Sequence, residues 1–175
     1  MFSDINDFIA DLDKRGLLSR IRGSVSPDLE IAAVTDRVCK LAGGGPGLLF
    51  EKPTGFDMPV ATNLFGSTER MCLALGAPSL DAVARYIDEM MTPKMPSGML
   101  DAFKMLPMLD RLRDLMPKTV KDAPCQEVVN HNGSLDELPI LKTWPEDGGR
   151  YITLPLVITR DPETRVRNIG TYRMQ

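Results

Sequence analysis

The sequence is poor in the residues that most often hold metals or form disulfides. Among 175 residues there is a single histidine, His131, and only three cysteines, Cys39, Cys72 and Cys125. The cysteines are widely spaced and odd in number, and no CxxC or HExxH pattern occurs. This argues against a disulfide framework and against a self-contained zinc site. We therefore expect reduced thiols, with Cys39 and Cys72 buried as small apolar side chains in helices.

Cys125 and His131 are the one combination of these residues that could act as a nucleophile and its base. The segment between them, CQEVVNH, is typical of a strand, and no third group that would orient the histidine can be identified. We therefore expect no catalytic dyad here.

The sequence also lacks an excess of positive charge and a long apolar run. Lys and Arg number 21 against 24 Asp and Glu, a net charge of −3, which argues against a nucleic-acid-binding protein. No apolar stretch approaches the roughly 20 residues that span a bilayer. The N-terminal segment is acidic and amphipathic, unlike a secretory signal. We expect a cytoplasmic protein.

What is present is the composition of a globular protein and a pattern of elements that predicts an α/β fold. Apolar spacing predicts helices that begin after serine caps, and short apolar runs bounded by Pro and Gly predict strands. The expected strands cover residues 17–21, Leu48–Phe50 and Val60–Leu64. The expected helix caps are Ser3, Ser26, Ser67 and Ser79.

A glycine-rich stretch, GGGPG at 43–47, superficially resembles a phosphate-binding loop. It precedes a strand, whereas a dinucleotide loop follows a strand and opens a helix, and no Walker lysine is present. We therefore predict a connector whose glycines allow a helix-to-strand turn.

A proline-broken region then leads into a further helical segment over 99–112. Seven of the eleven methionines fall between residues 90 and 116. Helical spacing favours core or interdomain packing for them, and an adaptable partner groove is the alternative.

From about residue 122 the pattern becomes β-rich. Ser134 to Leu138 predicts one helical turn, and 152–159 and 166–172 predict two strands joined by a turn over 160–165. We predict two domains: residues 1–120 form an α/β domain with a helical linker, and residues 121–175 begin a β domain. An unpaired edge and an unfinished apolar face are expected on that hairpin.

The last strand holds the best candidates for chemistry. In an extended strand Asn168, Gly170 and Tyr172 share one face, while Thr171 and Arg173 share the other. A carboxamide oxygen suits a hard cation, a glycine lets a ligand approach the backbone, and an arginine can fork onto a phosphate or carboxylate. The alternative is an ordinary solvated strand.

A second candidate group is the segment WPEDGG at 144–149. Its Trp and carboxylates could line a pocket, but its Pro and Gly content favours a surface turn.

The order of motifs resembles the UbiD family of decarboxylases. Each motif alone is weak, and the set spans nearly the whole chain. The motifs are DLEIAAVTDRV (28–38), GPGLLFE (45–51), MPVATNLFGSTERMCLALG (58–76), APCQEVV (123–129), LPILKTWPEDGGRYITLPLVITRDPE (138–163) and RNIGTYRMQ (167–175).

The resemblance implies a fold, a reaction and site residues. The fold is an α/β (α+β) N-terminal domain followed by the first strands of a split β-barrel that binds prenylated flavin mononucleotide (prenylated FMN). The reaction is the reversible, non-oxidative decarboxylation of aromatic or α,β-unsaturated acids, such as the 4-hydroxy-3-polyprenylbenzoate of ubiquinone biosynthesis. A polyprenylated substrate would make the cytoplasmic protein membrane-peripheral. Asn168 would be a ligand of a divalent metal, usually Mn²⁺. Thr171, Tyr172 and Arg173 would contact the flavin, and Arg173 would also belong to a catalytic Glu–Arg–Glu network.

In this family the other metal ligands and both glutamates lie beyond residue 175. We therefore expect residue 175 to be a truncation point and the isolated chain to be inactive. The resemblance also implies a flavin prenyltransferase as cofactor supplier and a homo-oligomer at full length. One alternative is a non-catalytic, naturally shortened paralogue that acts as a binding or assembly subunit. A split-barrel flavin reductase would leave the N-terminal motifs unexplained.

Overall fold

The computed structural model describes residues 2–92 and 119–175. The predicted 99–112 helix and the methionines from 95 to 116 lie outside these residues. Short 3₁₀ turns cover Ala42–Gly44, Pro124–Gln126 and Leu135–Glu137. The regular elements of the described residues are α1 (Ile5–Lys14), β1 (Leu18–Val25), α2 (Glu30–Cys39), β2 (Gly47–Pro53), β3 (Val60–Thr62), α3 (Thr68–Leu75), α4 (Leu80–Met91), β4 (Leu156–Arg160) and β5 (Arg167–Thr171).

The first three strands form one sheet in the order β1-β2-β3. β1 and β2 are parallel, and α2 provides the crossover that parallel neighbours require. β2 and β3 are antiparallel and are joined by residues 54–59, which begin with a turn closed by the Phe56 N–H and the Pro53 carbonyl oxygen. The predicted strands are confirmed, although β1 continues to Val25, past the expected end at residue 21, through a register shift between Ile21 and Ser24.

The central strand β2 is buried on both faces of the sheet, and its buried side chains are apolar. Successive side chains of a strand point to opposite faces. Leu49 therefore joins the cluster of Phe8, Leu12, Leu18 and Leu64. Leu48 and Phe50 join Ile31 of α2 on the other face. Each such buried side chain contributes about 1.5–3 kcal/mol.

The first helix cap differs from the prediction by one residue. Asp4, not Ser3, is the N-cap of α1, and its carboxylate accepts the N–H groups of Asn6 at 2.8 Å and Asp7 at 3.0 Å. A carboxylate also interacts favourably with the positive end of the helix dipole. Ser3 instead hydrogen-bonds the side chain of Asp7, which lowers the pKa of that carboxyl.

The cap expected at Ser26 is wrong. Helix α2 begins at Glu30, and its N-cap residue Leu29, at φ +70°, makes no side-chain cap bond. The Ser26 hydroxyl accepts the N–H of Asp28, and the Ser26 N–H donates to the Glu30 carboxylate at 2.7 Å. The intervening residues form a turn in which Asp28 pairs with Lys142, and the helix begins only after that turn.

The third helix follows the prediction. The Ser67 hydroxyl accepts the Arg70 N–H, and Gly76 ends α3 at φ +63°. Helix α4 starts at Leu80, directly after Ser79. The turn expected at 134–138 is also present, as a capping box between Ser134 and Glu137.

The burial predicted for the cysteines is wrong for Cys39, which is exposed, while Cys72 is partly buried. Cys39 lies in the last turn of α2, where Val38 occupies the position that packs against the core. Its thiol donates to the carbonyl oxygen of Asp36 at 3.2 Å.

Arg70 is the buried charged residue of the described part of the chain, with 2% of its surface exposed. Its Nε donates to the carbonyl oxygen of Leu64 and its Nη2 to that of Asn63, both at 3.2 Å. The Asn63 side-chain amide in turn donates to the carbonyl oxygens of Gly44 and Pro46, both at 2.8 Å. Burial lowers the pKa of Arg70. This network ties α3 to the two loops that flank β2 and β3.

The glycine-rich stretch is a connector, as predicted. Gly44 has φ +83°, and a Cβ there would overlap the carbonyl oxygen of Gly66. The 43–47 segment thus allows two backbones to approach closely.

Contacts divide the chain into two compact units, one of residues 1–80 with 134–175 and one of residues 81–133. In the first unit the Lys142 N–H donates to the Pro27 carbonyl oxygen at 3.1 Å, and its carbonyl oxygen accepts the Leu29 N–H at 3.0 Å. Leu141 packs against the core cluster around Ile31. The domain boundary at residue 120 stays a prediction.

The second unit holds most of α4 and the turn Pro124–Gln126. Cys125 and His131 are both exposed in it. None of the helices in 2–92 and 119–175 combines the length and the apolar character needed to cross a bilayer.

Candidate functional site

Asn168 and Thr171 lie on a β-hairpin, as predicted, and Tyr172 and Arg173 directly follow its second strand, β5. β4 and β5 pair antiparallel from Leu156 opposite Thr171 to Arg160 opposite Arg167. β4 begins at Leu156 rather than at residue 152. Pro155 precedes it and cannot donate a ladder hydrogen bond.

The turn of the hairpin is built on Asp161. Its carboxylate accepts the N–H groups of Glu163 at 2.9 Å and Thr164 at 2.6 Å, and Arg165 adopts φ +62°. These bonds to the ionised form lower the pKa of Asp161.

We expect the turn to loosen in acid. Because the folded-state pKa of Asp161 lies below its unfolded value, the stabilisation is complete above the unfolded pKa and is lost as pH falls through the folded one. NMR titration should show the carboxyl of Asp161 titrating below the usual range for aspartate. Asp161→Asn should remove that pH dependence, and a normal Asp161 pKa would contradict the assignment.

One face of β5 carries Asn168 and Gly170, and Tyr172 follows on the same face. The ring of Tyr172 folds back over Gly170, where an added Cβ would lie 2.5 Å from the ring carbon Cε2. The Tyr172 hydroxyl accepts a hydrogen bond from Nδ2 of Asn168 at 3.4 Å. The structure therefore brings Asn168 and Tyr172 together, and the space above Gly170 is filled by the chain's own tyrosine.

Arg173 points away from that pair. Its guanidinium carbon lies 4.7 Å from the centre of the Tyr151 ring, a cation–π contact. In the parts of the chain that the structure covers, no carboxylate lies within ion-pair distance of it. Arg173 is exposed, and its donors are open to a carboxylate or a phosphate.

Thr171 is exposed and lies opposite Leu156, on the face of the hairpin that also carries Ile158 and Ile169. The three apolar side chains are 72%, 63% and 56% exposed. The apolar face expected on the hairpin is therefore present and exposed.

The described residues do not form a metal site by themselves. No group of three or more His, Cys, Asp or Glu side chains that could hold an ion occurs within 2–92 and 119–175. Asn168 offers one amide oxygen, whereas hard cations take six or more oxygen ligands.

The second candidate group, 144–149, contains a surface turn. The Trp144 N–H donates to the Asp147 carboxylate at 2.9 Å, and the Asp147 N–H donates back to the Trp144 carbonyl oxygen. Trp144 is exposed and flanks a cavity of about 430 Å³ together with Leu29 and Pro145.

Two features were missed by the sequence analysis. The burial of Arg70 could have been found, since Arg70, Leu73 and Ala74 form an i, i+3, i+4 stripe on α3. No nearby sequence pattern indicates the contact between Tyr151 and Arg173, because it depends on how two separate segments pair.

Two domain models of one protein family match the chain. Residues 9–90 match the 3-octaprenyl-4-hydroxybenzoate carboxy-lyase N-terminal domain of the UbiD family. Residues 118–175 match the Rift-related domain of the same carboxy-lyase. The chain belongs to the UbiD family.

Relatives and solved structures agree with this assignment. A protein of Aquifex aeolicus (strain VF5) is 50% identical over 99% of this chain and 36% of its own length. A protein of Archaeoglobus fulgidus is 45% identical over 99% of this chain and 35% of its own. The chain thus spans about a third of the length of the relatives it matches.

Among solved structures, vanillic acid decarboxylase (ShVdcCD) of Sedimentibacter hydroxybenzoicus in closed form has a TM-score of 0.73 and 30% identity, and the match covers 100% of this chain and 35% of that one. The UbiD-class enzyme HmfF of Pelotomaculum thermopropionicum, in complex with FMN, has a TM-score of 0.68 and 29% identity, and the match covers 97% of this chain and 34% of that one. An evolved dimeric form of HmfF, in complex with prenylated FMN (prFMN), has a TM-score of 0.67. The mixed α/β fold expected for the chain is confirmed.

Proposed function

We propose that the protein to which this chain belongs is a prenylated-FMN-dependent carboxy-lyase. Its substrate class would be aromatic or α,β-unsaturated carboxylic acids, with 4-hydroxy-3-polyprenylbenzoate of ubiquinone biosynthesis as one candidate. The observation that carries the proposal is the match of two consecutive UbiD domains on a chain whose last hairpin presents Asn168, Thr171, Tyr172 and Arg173. The aromatic acid named for the Sedimentibacter enzyme supports the substrate class.

The roles of the residues follow from their chemistry. Arg173 would bind and orient a carboxylate or phosphate through its free guanidinium donors. The backbone and side chains of Thr171 and Tyr172 would contact the flavin. Bound prenylated FMN would supply the electron sink that loss of CO₂ requires.

The described residues do not complete a Mn²⁺ site. Asn168 would supply one ligand. The flavin phosphate and further protein residues would supply the others.

The partners and location are part of the same proposal. A flavin prenyltransferase would supply the cofactor, the whole protein would form a homo-oligomer, and it would act in the cytoplasm. Light scattering of the purified whole protein would test the oligomer.

The activity test uses the whole protein co-expressed with a flavin prenyltransferase. Incubation with a panel of aromatic and α,β-unsaturated acids should release CO₂. A coupled assay measures the CO₂, and product analysis identifies the decarboxylated acid. A protein that is loaded with prenylated FMN yet releases no CO₂ from any acid would overturn the enzyme assignment and favour a binding or assembly subunit.

A separate prediction concerns the 175-residue chain alone. We expect it to bind prenylated FMN weakly or not at all, because a single hairpin supplies few contacts and one metal ligand. Absorbance titration with prenylated FMN and Mn²⁺ measures this. Tight, stoichiometric binding would contradict the prediction.

A further inference from the structure

We infer that Tyr151 is a positioning residue that holds the guanidinium of Arg173 in place. The observation is the cation–π contact in which the Arg173 guanidinium lies 4.7 Å from the Tyr151 ring centre. Arginine stacks well on aromatic faces because its guanidinium is planar and weakly hydrated. The inference rests on the proposed function, since Arg173 must have a carboxylate or phosphate to meet.

The contact is fixed by backbone pairing. Ile152 and Met174 form an isolated antiparallel bridge, with N–H donating to carbonyl oxygen in both directions at 2.9 and 3.1 Å. Residue 151 then lies opposite 175, and Arg173 is its diagonal neighbour on the same face. Aromatic and long side chains reach each other across such a diagonal.

The pairing depends on a register shift between this bridge and the hairpin. Ile152 lies opposite Met174, and Leu156 lies opposite Thr171. Between these two pairs, one segment has three residues, 153–155, and the other has two, 172 and 173. One extra residue in a strand bends it and re-aims its side chains. Without the shift, Ile152 would lie opposite residue 175, and Tyr151 would fall on the face away from Arg173.

Tyr151 is itself anchored to the folded core. Its N–H donates to the carbonyl oxygen of Leu141 at 3.0 Å, and the Leu141 side chain packs against the cluster of Ile31, Leu48 and Phe50. Tyr151 is partly buried, whereas Arg173 is exposed. The tyrosine therefore connects an exposed arginine to the packed first sheet.

The contact serves to reduce the number of orientations open to Arg173. A free arginine side chain on a strand samples many rotamers, and fixing it on substrate binding costs entropy. A guanidinium that is already stacked needs less ordering to meet an anion. The aromatic ring of Tyr151 supplies the stacking contact, and its hydroxyl is not required.

The test compares Tyr151→Leu, which removes the ring, with Tyr151→Phe, which removes only the hydroxyl. In the 175-residue chain, NMR should show the Arg173 side-chain protons shifted upfield by the ring in wild type and Tyr151→Phe, and unshifted in Tyr151→Leu. In the whole protein, Tyr151→Leu should lower kcat about tenfold with a smaller change in KM, and Tyr151→Phe should stay within about twofold of wild type. Tyr86→Leu, in α4, is the matched control.

Several outcomes would overturn the inference. Identical Arg173 chemical shifts in Tyr151→Leu and wild type would do so, as would wild-type turnover in Tyr151→Leu. A loss in Tyr151→Leu that persists undiminished in an Arg173→Lys background would show that the ring acts other than through Arg173. If the leucine variant does not fold by circular dichroism, Tyr151→Met takes its place.

Failure of the inference can be told apart from failure of the proposed function. If the wild-type whole protein decarboxylates nothing, the proposed function fails, and the NMR comparison alone decides whether Tyr151 holds Arg173. If wild type is active and Tyr151→Leu is equally active, only the inference fails.

Discussion

Arg173→Ala in the whole protein is expected to abolish most of the decarboxylation, a loss of about 10²- to 10³-fold. Removing one preorganised hydrogen-bond donor aimed at a reacting group costs about this much in enzymes where it has been measured. The fold should be unaffected, because Arg173 is exposed and contacts the ring of Tyr151. Surface cation–π contacts contribute only about 0.5–1 kcal/mol. Turnover and circular dichroism of the purified variant measure the two effects.

Arg160→Ala is the matched control for this experiment. Arg160 is an exposed arginine on the same hairpin, directly opposite Arg167, and removing one of two facing like charges does not weaken the pair of strands. We expect its activity to stay near wild type. Unchanged turnover in Arg173→Ala would remove Arg173 from the proposed site, and an equal loss in Arg160→Ala would point to a general effect of hairpin charge.

Arg70→Met is expected to give the largest loss of stability, about 2–4 kcal/mol. Methionine nearly fills the volume but donates no hydrogen bond, so the carbonyl oxygens of Asn63 and Leu64 lose their charged donor. At the scale of a domain this size, such a change lowers the melting temperature by roughly 5–15 °C. Thermal unfolding followed by circular dichroism measures it.

Arg37→Met provides the comparison for that prediction. Arg37 is exposed on α2 and makes no ion pair with any residue in the described ranges. Surface substitutions of this kind stay within about 0.5 kcal/mol of wild type. A small effect of Arg70→Met, similar to that of Arg37→Met, would mean that the network around Asn63 is held by its other bonds.

Much of the fold could be predicted because local patterns agree with it. The apolar run of β2 marks a strand buried on both faces, and Ser67 with Gly76 marks both ends of α3. The turn residues around Asp161 predict the hairpin. In each case the signal lies within a few residues of the element that it specifies.

The errors arise where neighbouring donors compete or where distant segments pair. Asp4 displaces Ser3 as a cap because two adjacent residues can both accept the same N–H groups. The segment just before α2 pairs with Lys142, over a hundred residues away in the sequence, and no local pattern indicates that pairing. The position of Arg173 depends on a register shift at 153–155, and alternation of apolar and polar residues does not specify such a shift.

The link between Lys142 and the segment before α2 has a consequence for mutational tolerance. It consists of main-chain hydrogen bonds to Pro27 and from Leu29, so almost any side chain at position 142 can preserve it. We expect most substitutions at position 142 to change the free energy of unfolding very little. Proline is the exception at positions 29 and 142, because it removes the N–H that each bond needs.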